Sequence, residues 1–181
     1  MRYIDENLIK TEKRDFIDYL KWCQELDYDL SNEFILFPKP FKLAHDRTLE
    51  VIEDKKDEIR AAELKKESEI IKKMAAEVKK QFAMETELFI IVVPKSARDL
   101  IKEGHTLHHC VGTYVKNVAQ GKTNILFIRK KDSIKKAFYT MEVRNGKLVQ
   151  VRGANNCDMT DEVKLFVNSF KTKMLPVEKV A

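Results

Sequence analysis

From Phe41 to Met84 the sequence contains neither proline nor glycine, and Ala, Glu, Lys, Leu, Ile and Met dominate it. These are strong helix formers and the two missing residues are the strongest breakers, so the stretch predicts one long helix, or two with a bend. A chain of 181 residues with such a helix has room for about one compact domain besides. The helix is not uniform along its length. Glu53 to Glu69 is nearly all charge, with Ile59 and Leu64 isolated among acids and bases at helical spacing, which describes a solvated arm or spacer rather than a packed helix. A partner-binding coiled coil is the alternative. An apolar stripe returns at Ile70, Ile71, Met74, Ala75, Val78 and Phe82, and this part is expected to dock on the domain C-terminal to it.

Before the long helix, Phe16, Tyr19, Leu20 and Cys23 recur at i, i+3, i+4 and i+7 of an amphipathic helix that Thr11 can cap, which makes Cys23 a core residue. The two prolines of Phe34-Ile35-Leu36-Phe37-Pro38-Lys39-Pro40 predict an extended connection. His45 is expected at a docking contact between the long helix and the domain, and Asp46 as an N-terminal charge favoured by the helix dipole. The chain divides into an N-terminal helix and connector (1–40), the long charged helix (41–86), a compact domain (87–174) and a tail (175–181).

The domain opens with a strand, Leu88 to Val93, bounded by Pro94. Ser96 caps a short helix with Asp99 in the capping-box position, and Gly104 is placed to end it. Val111 to Gln120 predicts another helix stopped by Gly121, and Asn124 to Arg129 a strand. Ala137–Val143 and Leu148–Arg152 are strands joined at Asn145-Gly146, the strongest short hairpin signal. With that loop Val143 faces Leu148, Met141 faces Gln150 and Tyr139 faces Arg152, while Phe138, Thr140, Val149 and Val151 take the other face. A helix from Asp161 to about Met174, with Val163, Phe166, Val167 and Phe170 as its stripe, closes the domain. The expected class is α+β: a mostly antiparallel sheet of about four strands with packed helices, preceded by the long charged helix and an N-terminal helix.

Charge and composition restrict the function classes. No apolar run is long enough to span a membrane. The N-terminus lacks the pattern of a secretory signal, and three cysteines make no disulfide framework, so a cytoplasmic protein without a membrane partner is expected. Residues 88–181 hold 17 Lys and Arg against 8 Asp and Glu, a net +9, whereas residues 1–87 are net −4 with 17 against 21. A polyanion, RNA or single-stranded DNA, is the natural partner of such a basic half.

Into that half fall three of the four histidines, within Gly104-His105-Thr106-Leu107-His108-His109-Cys110-Val111-Gly112-Thr113-Tyr114. Three readings stand side by side. The first is structural, with a histidine satisfied by backbone and Leu107, Cys110 and Val111 turned inward. The second is a zinc site drawn from His105, His108, Cys110 and Cys157, for which the spacing is poor and the nearest carboxylate, Glu103, is expected at the surface. The third is a metal-independent nuclease: His108 or His109 as general acid or base, Tyr114 supplying a proton or a stacking face, and Gln150, Arg152 and Asn155 holding a phosphate. His105, Cys110, Tyr139 and Asn156 complete the candidate binding residues. No cofactor is implied, and no metal is assigned.

Taken in order, Leu36-Phe37-Pro38, Ala44-His45-Asp46, Glu103 to Tyr114, Ile125-Leu126-Phe127-Ile128-Arg129, Thr140-Met141-Glu142-Val143 and Gln150 to Asn156 resemble the PcfJ-like family, over roughly residues 34–170. The resemblance implies a protein of a conjugative plasmid or phage that works near nucleic acid, as an accessory of a relaxosome does. It implies no particular mechanism. The reading from a different class is a non-catalytic module that binds and inhibits a host protein–nucleic acid complex such as a defence effector.

Overall fold

The computed structural model describes Tyr3, Ile4, Leu8 and residues 12–174; the Thr11 cap and the 175–181 tail lie outside the described residues. Six α-helices occur among the described residues: α1 Glu12–Glu25, α2 Glu33–Leu36, α3 Phe41–Phe82, α4 Ala97–Leu107, α5 Val115–Ala119 and α6 Asp161–Met174. Strands β1 Phe89–Val92, β2 Asn124–Lys130, β3 Tyr139–Arg144 and β4 Lys147–Arg152 form one antiparallel sheet in chain order. The class is α+β. Two compact units divide between Ala62 and Glu63.

In the first unit Phe16, Tyr19 and Cys23 of α1 are buried with Leu8 and Phe41. The Tyr19 hydroxyl donates to the Ile35 carbonyl at 2.7 Å. Ile35 lies in α2, where the prolines had predicted extended chain. Asn32 nucleates this turn by accepting from the Phe34 N–H, and the helix stops at Leu36, short of Phe37 and Pro38. His45 docks on α1, its ring 5.1 Å from that of Trp22, and its Nδ1 lies 3.0 Å from Asp46. Helix α3 is unbroken, and its charged middle is solvated: Ile59 is exposed, and Lys55 reaches across to the Glu25 carbonyl at 2.8 Å.

In the second unit both faces of the sheet are covered. Leu126, Ile128, Met141, Val143 and Val151 pack against Val163, Phe166, Val167 and Phe170 of α6 and against Phe82. Ile125 and Phe127 pack on the opposite side with Ala97, Leu100, Val111, Val115, Val118 and Ile71. The stripe at the end of α3 thus serves this unit as its spacing predicts.

The expected hairpin forms with φ of 51° at Asn145 and 72° at Gly146. Its register departs from the simple alternation after one pair. Val143 opposes Leu148, but Glu142 opposes Gln150, Met141 opposes Val151 and Thr140 opposes Arg152, so the pairs Met141–Gln150 and Tyr139–Arg152 do not form. Val149 is the extra residue of a β-bulge and is half exposed. Without the bulge, with Val149 paired to Glu142, Gln150 would stand beside Met141 in the apolar layer. With it Val151 fills that layer, and Gln150 and Arg152 join Thr140 and Glu142 on the other face.

Three features of the α4 region also differ from expectation. Ser96 Oγ accepts from the Asp99 N–H at 3.2 Å, yet the Asp99 carboxylate bonds the N–H of Lys95, at 2.8 Å, instead of completing a capping box. Gly104 does not end the helix, which runs to Leu107 and places the left-handed position on His108, φ 52°, whose N–H bonds the Gly104 carbonyl. Glycine is required at 104 for closeness, since a Cβ there would lie 2.9 Å from both the Gly112 nitrogen and the His109 oxygen. The stretch after α4 is a 3₁₀ turn, Cys110–Tyr114, ahead of a short α5, rather than one helix.

Glu103 is not at the surface. It shares the inner side of α4 with Leu100 and Leu107 and is 4% exposed. Its carboxylate receives both arms of Arg129, at 2.9 and 2.5 Å, and the Thr140 hydroxyl at 3.2 Å. Arg129 is 6% exposed and lies 4.7 Å over the Phe127 ring. Removing one partner of such a pair strands a buried charge. Glu103→Ala is therefore expected to lower unfolding free energy by about 3–5 kcal/mol, and Glu103→Ala/Arg129→Met to regain most of that. Urea unfolding measures both; a loss below about 1 kcal/mol in the single variant, the size of an exposed pair, would contradict the pair's burial.

Candidate functional site

The turn after α4 lies over the face of the sheet that carries Thr140, Glu142, Gln150 and Arg152, and between them lies a small pocket. His109, Cys110, Val111 and Tyr114 line it from the turn, Ile125, Thr140 and Glu142 from β2 and β3, and Gln150, Arg152 and Asn156 from β4 and the turn beyond it. Two stretches about 40 residues apart in sequence are thereby joined.

Its backbone is shaped by left-handed residues that are not glycine. His108 has φ 52°, Asn155 52° and Asn156 60°. The first reverses the chain so that His109, extended at φ −142°, caps the 3₁₀ turn; its Nδ1 accepts from the Val111 N–H at a long 3.5 Å. A ring whose Nδ1 accepts carries its proton on Nε2. That Nε2 is buried and has no hydrogen-bond partner among the described residues, a condition that costs free energy unless an acceptor is supplied.

Opposite it, Glu142 is 2% exposed and saturated: Gln150 Nε2 donates at 2.8 Å, Arg144 at 2.5 Å and Thr123 Oγ1 at 3.0 Å. Burial works against the charged form, but the hydrogen bonds from Gln150, Arg144 and Thr123 outweigh it and hold the carboxyl below its ordinary value. Arg152 is tied to Asp158, whose side chain is almost fully exposed. Such a pair is weak and gives way readily to a better anion.

His109, Cys110, Tyr114, Gln150, Arg152 and Asn156 thus line one pocket. The other candidates lie apart from it. His105 and His108 are exposed and outside the pocket lining, as is Asn155. Tyr139 is buried with the α6 layer, its hydroxyl donating to the Asp158 carbonyl at 3.0 Å and lying 3.9 Å from Cys157 Sγ; burial first, then Cys157, pushes that hydroxyl's pKa up. Leu107 and Val111 are buried, but Cys110 between them is exposed, because the chain leaves helical geometry at His108. Among the described residues no three of His, Cys, Asp and Glu converge as a metal would require, so His105, His108, Cys110 and Cys157 form no zinc set. Among the described residues, no helix is long and apolar enough to cross a membrane.

Sequence reasoning missed Glu142 and Thr140. Their signal was present: Thr140-Met141-Glu142-Val143 alternates polar with apolar, which in a strand covered on both faces requires an internal partner for the acid.

What fold and pocket define is a small α+β domain with a pocket of mixed lining built across a helix turn and a β-hairpin. The family model described as PcfJ-like protein matches residues 15–167, and the chain belongs to that family. An uncharacterized protein of Listeria innocua serovar 6a is 33% identical over 180 residues, 97% of this chain and 38% of the relative. The chain therefore spans well under half of that relative's length. No solved structure matches it.

The Glu142 carboxyl titrates below its ordinary 4.5 in the folded protein. Its contribution to stability is present above that value and is lost as pH falls through the lower folded one. Thermal melting of the wild type should decline on acidification below pH 4.5, and Glu142→Gln, though less stable at neutral pH, should lack that part of the decline. Parallel pH profiles for the two proteins would refute the assignment.

Proposed function

We propose that this protein binds nucleic acid on behalf of a mobile genetic element, and that the pocket receives a phosphodiester group together with its nucleotide. The buried, unpartnered Nε2–H of His109 carries this reading. It is a hydrogen-bond donor in a pocket that also offers Arg152, Gln150 and Asn156. A phosphate oxygen would satisfy it, and the guanidinium of Arg152 would exchange the exposed Asp158 for a bidentate phosphate. Tyr114 gives the pocket an aromatic wall, suited to a base or sugar. The net +9 of residues 88–181 supplies long-range attraction for a polyanion. Membership of the PcfJ-like family adds the setting, since members are carried largely by plasmids, integrative elements and phages.

Binding is favoured over cleavage by the inventory at the pocket. Metal-free cleavage of RNA uses a general acid and a separate general base. Only one histidine lines the pocket, and Glu142, the sole carboxylate there, has its oxygens engaged by Gln150, Arg144 and Thr123. A module that holds nucleic acid, or a host protein–nucleic acid complex, without cutting it accords with this arrangement.

His109→Ala and Arg152→Ala are each expected to weaken binding of a labelled single-stranded oligonucleotide by about ten- to a hundredfold, the loss of a hydrogen bond to a charged group. Melting temperatures should change little for Arg152→Ala. Fluorescence anisotropy at fixed salt measures the affinity, and unchanged values in both variants would overturn the proposal. The same mixtures run on a gel should show intact oligonucleotide between pH 5 and 8. Time-dependent cutting abolished by His109→Ala would replace binding with catalysis.

A further inference from the structure

The Glu103–Arg129 pair also lines a second, larger concavity, set between α4, the end of β1 and the loop that joins β2 to β3. Its charge is predominantly positive. Lys95, Lys102, Lys135 and Lys136 line it, all exposed and none in an ion pair among the described residues. The two acids present are occupied, Asp99 by the Lys95 N–H at 2.8 Å and Glu103 by Arg129. Ile134, beside Lys135 in the loop, is exposed in the same rim. Scattered lysines on a convex surface serve solubility; four unpaired ammonium groups drawn from three segments around one hollow concentrate positive potential inside it.

We propose that this trough holds the phosphate backbone of a single-stranded nucleic acid whose neighbouring nucleotide occupies the His109 pocket. The two hollows adjoin: Thr140 lines the pocket, and its hydroxyl donates to Glu103, which lines the trough. One ion pair separates them. A flexible strand can follow a concave, lysine-edged path and lay a sugar or base on Ile134, whereas a duplex presents a rigid convex surface that a hollow of this size does not follow. The inference rests on the proposed nucleic-acid binding only for the class of ligand; the lysines and the hollow stand independently of His109.

The test is the salt dependence of oligonucleotide binding by the full chain. Each single-strand phosphate neutralised contributes about 0.7 to the slope of log affinity against log salt. Lys135→Ala/Lys136→Ala should therefore reduce the slope by about 1.4, and Lys102→Ala, on the opposite wall, by about 0.7, with circular dichroism unchanged. His109→Ala, which removes no lysine, should weaken binding with the slope retained. If the lysine variants keep the wild-type slope while His109→Ala weakens binding, the trough is refuted and the pocket stands. If the lysine variants lower the slope and His109→Ala has no effect, the trough stands and the pocket reading falls. A duplex that competes as well as a single strand at equal phosphate concentration overturns the single-strand assignment.

Discussion

Everything on one face of the sheet depends on the neutralisation of Glu103 by Arg129. Two charges less than a tenth exposed are tolerable inside a protein only when their hydrogen-bonding capacity is met. Here the guanidinium and carboxylate meet it for one another, and Thr140 adds a third bond. The pair joins α4 to β2 and β3 at once, fixing the helix in rotation as well as in position. Apolar contacts do not do this: Leu100 and Leu107 would pack acceptably over a range of rotations, whereas a forked ion pair tolerates little displacement. The turn that carries His109 leaves the end of this helix, so its placement is inherited from the pair.

From that anchor the pocket is built largely with backbone that resists being built. A non-glycine residue in the left-handed region costs on the order of 1 kcal/mol, and the two segments that line the pocket turn at such residues, His108 in one and Asn155 and Asn156 in the other. Asparagine accepts this conformation comparatively well; histidine less so. Strain of this kind persists where surrounding contacts overdetermine it, and it collects at sites of function. At His108 the overdetermining contact is visible in the approach of Gly104 to the backbone of Gly112 and His109.

Much of the fold was legible because it rests on local signals. The Ser96 cap, the Asn145-Gly146 turn, the stripe of α6 and the uninterrupted α3 each follow from a few neighbouring residues. What escaped depends on tertiary accounting. Phe34 to Leu36 form a turn of helix because Asn32 caps it, a cue that the prolines overshadowed. Glu103 looked like a surface residue because its partner lies 26 residues away on a strand. The two stretches that line the pocket were both visible as unusual sequence, but which residues of each would face it was not. That choice fell to φ at His108, which turns His109 inward and leaves His108 outside, and to one extra residue in β4.

That extra residue gives position 149 an uncommon pair of properties. Its side chain is half exposed and stands outside the pairing of the two strands, so almost any amino acid would serve there. Its presence is equally dispensable to the pairing. Were the residue deleted, Leu148 would be followed directly by Gln150, and the pairs Glu142–Gln150, Met141–Val151 and Thr140–Arg152 would continue from Val143–Leu148 in plain alternation. The strand is thus indifferent both to what occupies this position and to whether it is occupied, so the chain can change length here by one residue while every side chain beyond it keeps its face.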